Sequence, residues 1–280
     1  MTKQIAVLLT VFNRKQQTLL CLERLFRQEI PEGYKLAVYL TDDGCTDGTP
    51  QAVLTQFPGL VKIINGDGTL FWNRGMYLAW SVAVKDNDFD YYLWLNDDTF
   101  IYDGCIKRLL AESKIYDDKS IVVGSTCAIG NQNKITYGGW KKGKIIKDLS
   151  KPQKADTING NIVLIPRHVY NVLGMNDNRF RHCAGDTDYG LRAKENNVLC
   201  MTGTGIFGEC NQHERPTVWM DPSQPFHKRW DNFLSPLGNN PFEFFYFKRK
   251  HYGLLAACIT FCSMWTHFFL PWLWPNCYKR

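Results

Sequence analysis

The sequence lacks the short signatures of several common enzyme classes. No GxxxxGK[ST] occurs, which excludes a P-loop, and Gly66-Asp67-Gly68 carries no lysine. No GxGxxG follows the first apolar run, which excludes an ordinary dinucleotide site. The 10 cysteines form no CxxC pair, and no Cys/His spacing suits zinc. The opening stretch MTKQIAVLLTVFNR meets a charge early and offers no small-residue cleavage site, so no secretory signal is expected. The cysteines are accordingly expected to be reduced thiols in a cytosolic setting. Excess charge is modest: 33 Lys and Arg against 27 Asp and Glu give +6, which suits an anionic surface. The basic residues form no stripe interleaved with aromatics, which argues against nucleic acid as a partner.

What is present is a core-forming chain of 280 residues, 45% apolar and 14% aromatic, enough for one or two domains. Ile5–Thr10 (IAVLLT) is a nearly unbroken apolar run, as in a strand buried on both faces. Leu19, Leu22, Leu25 and Phe26 then follow helical spacing. Strands are expected at Leu36–Thr41, Val61–Asn65, Tyr91–Asn96, Ile121–Cys127 and Asn161–Pro166, with helices between most of them. This alternation predicts an α/β fold, a doubly wound, mostly parallel sheet with helices on both faces. Residues 130–157, rich in Lys and Gly, read as a hairpin or loops, and residues 208–250 resist assignment.

In an open parallel sheet, ligands bind beyond the carboxyl ends of the strands. Thr10-Val11-Phe12-Asn13-Arg14, Asp42-Asp43 and Asn96-Asp97-Asp98 all fall there. Either acidic pair alone reads as a turn or cap; together, at consecutive strand ends, they read as a site. Adjacent carboxylates on a rigid strand end suit a hard divalent cation shared with phosphate oxygens, a Lewis acid for a departing diphosphate.

TVFNRKQQTLLCLERLF, YLTDDGCTDGT, LWLNDDTF and GDTDYGLR, in this order over roughly residues 3–215, resemble the family-2 glycosyltransferases with the GT-A fold. The resemblance implies a bacterial polysaccharide or rhamnosyltransferase-like enzyme using a nucleotide-sugar and Mn²⁺ or Mg²⁺. Thr10, Phe12, Asn13 and Arg14 would line the nucleotide site, Asp43 would read a pyrimidine base, and Asp97 would sit near the ribose. Asp98 would hold the metal; Asn96 stands where a literal DxD has its first acid. Asp67, Trp72 and Arg74 fall where the family approaches the nucleotide-sugar. Asp186 matches the family's general base, with Gly185 in place of the usual preceding glutamate. A helix N-terminus favours an anion and weakens a base unless burial or another acid opposes it. Asp188 either supplies that opposing charge on the acceptor side or pairs with Arg192 one turn on. His213 either completes the metal site or is an exposed loop histidine. Asn159 and Gly160 occupy the position of the acceptor-side loop.

From Tyr252 to Tyr278 no charged residue occurs apart from His267, with Lys248-Arg249-Lys250 before and Lys279-Arg280 after. Length approaches a span, but Pro271, Pro275 and the interspersed Thr, Ser and His dilute it. Basic flanks beside Trp-rich apolar stretches suit an interfacial anchor, with a helix packed on the domain or on a second copy as the alternative. The expected division is a glycosyltransferase domain over 1–245 and a membrane-associating segment over 246–280, peripheral at the cytoplasmic face. The leading expectation is an inverting transferase carrying sugar from UDP or dTDP to a glycan or lipid-linked hydroxyl; homo-oligomerisation stays open. A sugar-nucleotide nucleotidyltransferase would want a glycine-rich basic loop after the first strand, of which Val11–Arg14 is a poor version. A non-catalytic nucleotide-sugar-binding module would have no need of acids at every expected position.

Overall fold

The computed structural model describes residues 2–212 and 218–273. Seven strands carry the main sheet: β1 (Lys3–Val11), β2 (Tyr34–Asp42), β3 (Val61–Asn65), β4 (Tyr91–Leu95), β5 (Ser120–Ala128), β6 (Ile162–Pro166) and β7 (Leu199–Glu209). Eight α-helices are described: α1 (Lys15–Phe26), α2 (Thr49–Gln56), α3 (Phe71–Asp86), α4 (Cys105–Ile115), α5 (Arg167–Leu173), α6 (Gly185–Glu195), α7 (Phe226–Leu234) and α8 (Pro241–Phe269). The sheet order is β7-β5-β6-β4-β1-β2-β3, with the short strand Lys154–Ala155 beyond β7. β3, β2, β1 and β4 are mutually parallel, as the βαβ alternation requires. β6 runs antiparallel to both β4 and β5, and β7 returns parallel to β5, so the sheet is mainly parallel rather than uniformly so.

The period of two along β1 splits the core. Ile5, Val7, Leu9 and Val11 face one apolar cluster with Leu22 and Leu25 of α1 and Leu109 of α4. Ala6 and Leu8 face the other, with Met76, Ala79 and Trp80 of α3. That is why β1 reads as continuous apolar sequence: both of its faces are covered by helices. α3 lies so close to β1 that a Cβ at Gly75 would stand 2.1 Å from Thr10 Oγ1, and Thr41 Oγ1 donates to the Gly75 carbonyl at 2.8 Å. The Lys- and Gly-rich stretch forms a strand over Asn131–Tyr137 paired with β5, then a small sheet of Gly139–Lys141, Lys144–Ile145 and Thr157–Ile158.

The chain parts into two compact units, one of residues 1–178 with 186–212 and the other of residues 179–185 with 213–280. The first holds the sheet. In the second, Trp219, Phe233, Met264 and Phe268 form a small core, with Phe233 stacked on Phe268 at 4.8 Å. α8 runs through position 245/246 and contains one non-helical residue, Gly253 (φ 86°).

Candidate active site

Asp97 and Asp98 follow the all-buried strand β4, so the backbone there is fixed by the sheet. Arg14, the residue that caps the start of α1, reaches both: its Nη1 donates to Asp97 Oδ1 at 3.1 Å and to Asp98 Oδ2 at 2.6 Å. One guanidinium nitrogen therefore reaches both carboxylates. Asp97 is 5% exposed, and its Oδ2 has no hydrogen-bond partner among the described residues. Burial, then the charge of Asp98, push the Asp97 carboxyl up to about 7, with Arg14 opposing. Burial works against the Arg14 charge too, but the two acids together hold its pKa above the ordinary value.

Beneath the pair lies a buried polar layer. Cys210 Sγ donates to Asp98 Oδ1 at 3.6 Å, and Asn161 Nδ2 donates to Thr99 Oγ1 at 3.1 Å and Cys210 Sγ at 3.5 Å. Burial, reinforced by Asp98, pushes the Cys210 thiol up to about 12. It stays protonated, as a weak donor rather than a thiolate ligand. The fit to a divalent cation rests on the orphaned Asp97 oxygen and its neighbour Asp98. Among the described residues no cluster of three His, Cys, Asp or Glu completes a cage. That suits Mg²⁺ or Mn²⁺, which take one or two carboxylates and complete their shells with substrate phosphate and water. His213 lies outside the described residues.

Asp43 is 4% exposed and builds the start of α3. Its Oδ1 accepts from the Gly68 and Leu70 N–H groups at 2.9 and 3.2 Å, and its Oδ2 from the Phe71 N–H at 2.8 Å. Phe71 takes a left-handed φ of 58° to make that turn. The next residue, Trp72, donates from Nε1 to Asn96 Oδ1 at 2.7 Å and packs edge-on to Trp94 at 5.8 Å. Asn96, which breaks the literal DxD, thus anchors the tryptophan. Gly160 lies under the same indole, where a Cβ would come within 2.3 Å of Trp72 Cζ2. Its N–H donates to Asp186 Oδ2 at 3.2 Å. The three acidic sites, far apart in sequence, are therefore tied together around Phe71-Trp72.

Asp186 stands in the first turn of α6, half-buried, with Oδ1 accepting the Thr187 N–H at 2.7 Å. Desolvation raises its pKa above the ordinary aspartate value, against the hydrogen bonds from Thr187, Gly160 and the Asn159 side chain. Burial, rather than a second acid, thus opposes the helix end. Asn159 Oδ1 accepts from the Trp140 indole N–H at 2.6 Å, which leaves its amide nitrogen as the donor toward Asp186.

The remaining expected residues divide. Phe12 is exposed; Asn13 (φ 51°) turns its Oδ1 to the Thr46 and Asp47 N–H groups at 2.7 and 3.3 Å, tying the β1 and β2 ends together. Thr10 is buried beneath Gly75, a packing position rather than an open ligand contact. Asp67 is exposed, its carboxylate accepting from the Thr69 hydroxyl and N–H, and Arg74 Nε donates to the Asn178 carbonyl at 2.9 Å. Asp188, expected on the acceptor side, is fully buried instead, paired with Arg192 Nε at 3.0 Å. The i+4 alternative describes its position, and acceptor contact is not proposed for it. Sequence reasoning missed Trp140, Cys21 and Cys210. Cys21 Sγ donates to the Asn96 carbonyl at 3.3 Å from inside α1, where it reads as one apolar residue among several.

The family model for glycosyl transferase family 2 matches residues 6–174, more than half of the chain. The chain belongs to that family and is a glycosyltransferase. No curated protein matches the sequence. Among solved structures, the mannosyltransferase PcManGT from Pyrobaculum calidifontis, in complex with GDP-Man and Mn²⁺, superposes with a TM-score of 0.55 at 14% identity, covering 99% of this chain and 88% of that one. S. aureus TarS gives 0.56 at 14% identity over 87% of this chain and 44% of its own. Its shorter form, TarS 1-349, gives 0.55 at 13% over 96% and 81%. At such identities the likeness concerns the fold, which is GT-A-like.

Proposed function

We propose that the protein is an inverting, metal-dependent glycosyltransferase that moves a sugar from a UDP- or dTDP-linked donor to a hydroxyl of a glycan or lipid-linked acceptor in cell-surface polysaccharide synthesis. The observation that carries this reading is the tie between the Asp97–Asp98 pair and Asp186 through Asn96, Trp72 and Gly160. A buried acid pair with an orphaned Asp97 oxygen suits a diphosphate–metal group, and a separate desolvated carboxylate suits proton transfer. Asp186 takes the acceptor hydroxyl's proton as its oxygen forms a bond to the anomeric carbon and the bond to the diphosphate oxygen breaks on the opposite face. A raised carboxyl pKa makes it a better base than an exposed aspartate.

Arg14, Asp67, Arg74 and Trp72 approach the nucleotide-sugar, and Asp97 the ribose. Asp43 faces the pyrimidine: an ionised carboxylate offers about four lone-pair sites, and three are used by the turn, which leaves one for a base N–H. Asp98, with His213, would hold Mn²⁺ or Mg²⁺, which when bound supplies positive charge to the leaving diphosphate. Asn159 and Gly160 border the acceptor side. Residues 1–245 act as the transferase, and the basic, apolar segment 246–280 attaches it peripherally to the inner face of the plasma membrane.

The test is a transfer and donor-binding panel of UDP-, dTDP- and GDP-sugars with Mn²⁺ and Mg²⁺. Asp186→Asn is expected to lower turnover about 10²–10⁴-fold while donor binding by calorimetry persists. Asp98→Ala is expected to lose the metal-dependent part of binding. Near-normal turnover in the first variant removes Asp186 from the mechanism. Preference for GDP-sugars overturns the pyrimidine assignment alone.

A further inference from the structure

By length and composition alone, α8 is long and apolar enough to cross a membrane. Its own packing argues for a different disposition. At Gly253 the backbone leaves helical geometry (φ 86°, ψ 170°), dividing the element into a basic half and an apolar half. The apolar half, Leu254–Phe269, measures about 24 Å at 1.5 Å per residue, short of a hydrocarbon core of about 30 Å. One stripe of it, Ala257, Met264 and Phe268, is buried, the last two in one apolar cluster with Trp219 and Phe233. Its last turn is held by a charge. The buried Arg229 of α7 donates to the carbonyls of Trp219 (3.0 Å) and Phe268, and its guanidinium sits 5.0 Å from the Phe268 ring centre. A guanidinium so placed would be carried into hydrocarbon if α8 spanned, at high cost.

The opposite stripe, Leu255, Ile259 and Phe269, is 76%, 62% and 53% exposed, and Trp272 and Leu273 extend it. The basic half supplies Lys248, Arg249 and Lys250 just before the break, and its one acid, Glu243, is engaged by Arg181 at 2.6 Å. An apolar stripe with a cationic approach and no free acid matches an anionic lipid surface.

We infer that α8 lies in the plane of an anionic membrane, with Leu255, Ile259 and Phe269 in the acyl boundary and Lys248–Lys250 at the headgroups, and does not cross it. This rests on the membrane attachment proposed above and is independent of the chemistry assigned to Asp186. The test uses the full chain, sedimented with vesicles of phosphatidylcholine alone or with 30% phosphatidylglycerol, where the percentage is the experimental composition. Binding only to the anionic vesicles is expected, reduced about tenfold or more by Lys248→Glu/Arg249→Glu and equally by Leu255→Glu/Ile259→Glu. Circular dichroism confirms folding, since both pairs alter surface positions. From native membranes, alkaline carbonate should release the wild-type chain. Retention in the carbonate pellet means a span and overturns the inference, as does vesicle binding unchanged in both pairs. Loss of a dimer in Leu255→Glu/Ile259→Glu, by sedimentation velocity, with no vesicle binding in the wild type, assigns the stripe to a second copy and overturns it too. Donor hydrolysis measured on the same samples keeps the outcome separate from the transferase reading.

Discussion

The two units solve opposite problems with apolar residues. In the sheet unit, helices cover both faces of β1, so Ile5 through Leu9 are wholly enclosed, and the buried acids Asp43 and Asp97 stand just past the ends of β2 and β4. In the other unit a single stripe of α8 meets a four-residue core, and an equally apolar stripe faces outward. Burial in the first is closed and makes a site; burial in the second is one-sided and leaves a surface. Exposed leucines are unremarkable one at a time, but a helical stripe of them beside a basic run is a feature to explain.

The contrast breaks most directly at α8. Phe268→Ala removes a fully buried ring stacked on Phe233 and is expected to cost about 3–5 kcal/mol of stability in that unit. Leu255→Ala, on the outward stripe, is expected to stay within about 0.5 kcal/mol. Urea unfolding followed by the fluorescence of the tryptophans gives both values. Equal, small effects would mean that the buried stripe is not a core.

The sheet unit has its own signature in pH. The Asp97 carboxyl is held at about 7, above its ordinary value, so its neutral form is favoured in the folded chain. A folded pKa raised above the unfolded one contributes stability at low pH and loses it as pH rises through the folded value. The metal-free protein should therefore lose stability between about pH 4 and 7, and Asp97→Asn should flatten that decline. Melting temperatures of both chains across pH 4–8 check this. A wild-type profile as flat as that of the variant would mean that Asp97 is ionised throughout, with Arg14 sufficient to hold it. Added Mn²⁺ should raise the melting temperature more at pH 8 than at pH 6, because a cation replaces the proton.

Much of this was legible in the residues. Strand runs such as YYLWL and the order of acids at their ends are local signals, and parallel-sheet topology carries such ends to one edge. The antiparallel entry of β6 was not, because a five-residue apolar run has no direction. Nor was the use made of Asp43: a carboxylate in a DDG turn reads alike whether it faces a ligand or caps the helix that follows. Asp188 shows the same ambiguity resolved by burial, since its partner Arg192 one turn on was visible but its exposure was not. The α7 and α8 contacts depend on aromatic packing with no period to read, and Arg229 looks like any surface arginine until its carbonyl partners are known.

Trp140 marks the finest level of that illegibility and yields the smallest expected effect. It sits in a Lys- and Gly-rich stretch that reads as loop, yet its indole N–H fixes the amide of Asn159, and that amide in turn donates to Asp186. Trp140→Phe keeps the ring and removes one hydrogen bond of about 1 kcal/mol, so turnover should fall only roughly fivefold. The direction in pH is more telling than the magnitude. Asn159 favours the ionised form of Asp186, so loosening it should raise the Asp186 pKa and move the acid limb of the turnover profile to higher pH. Donor KM should be unchanged, because the acids proposed to face the nucleotide are not touched. A shifted limb with constant KM places Trp140 in the support of the base; a raised KM with an unmoved limb would make it a packing residue of the small sheet and nothing more.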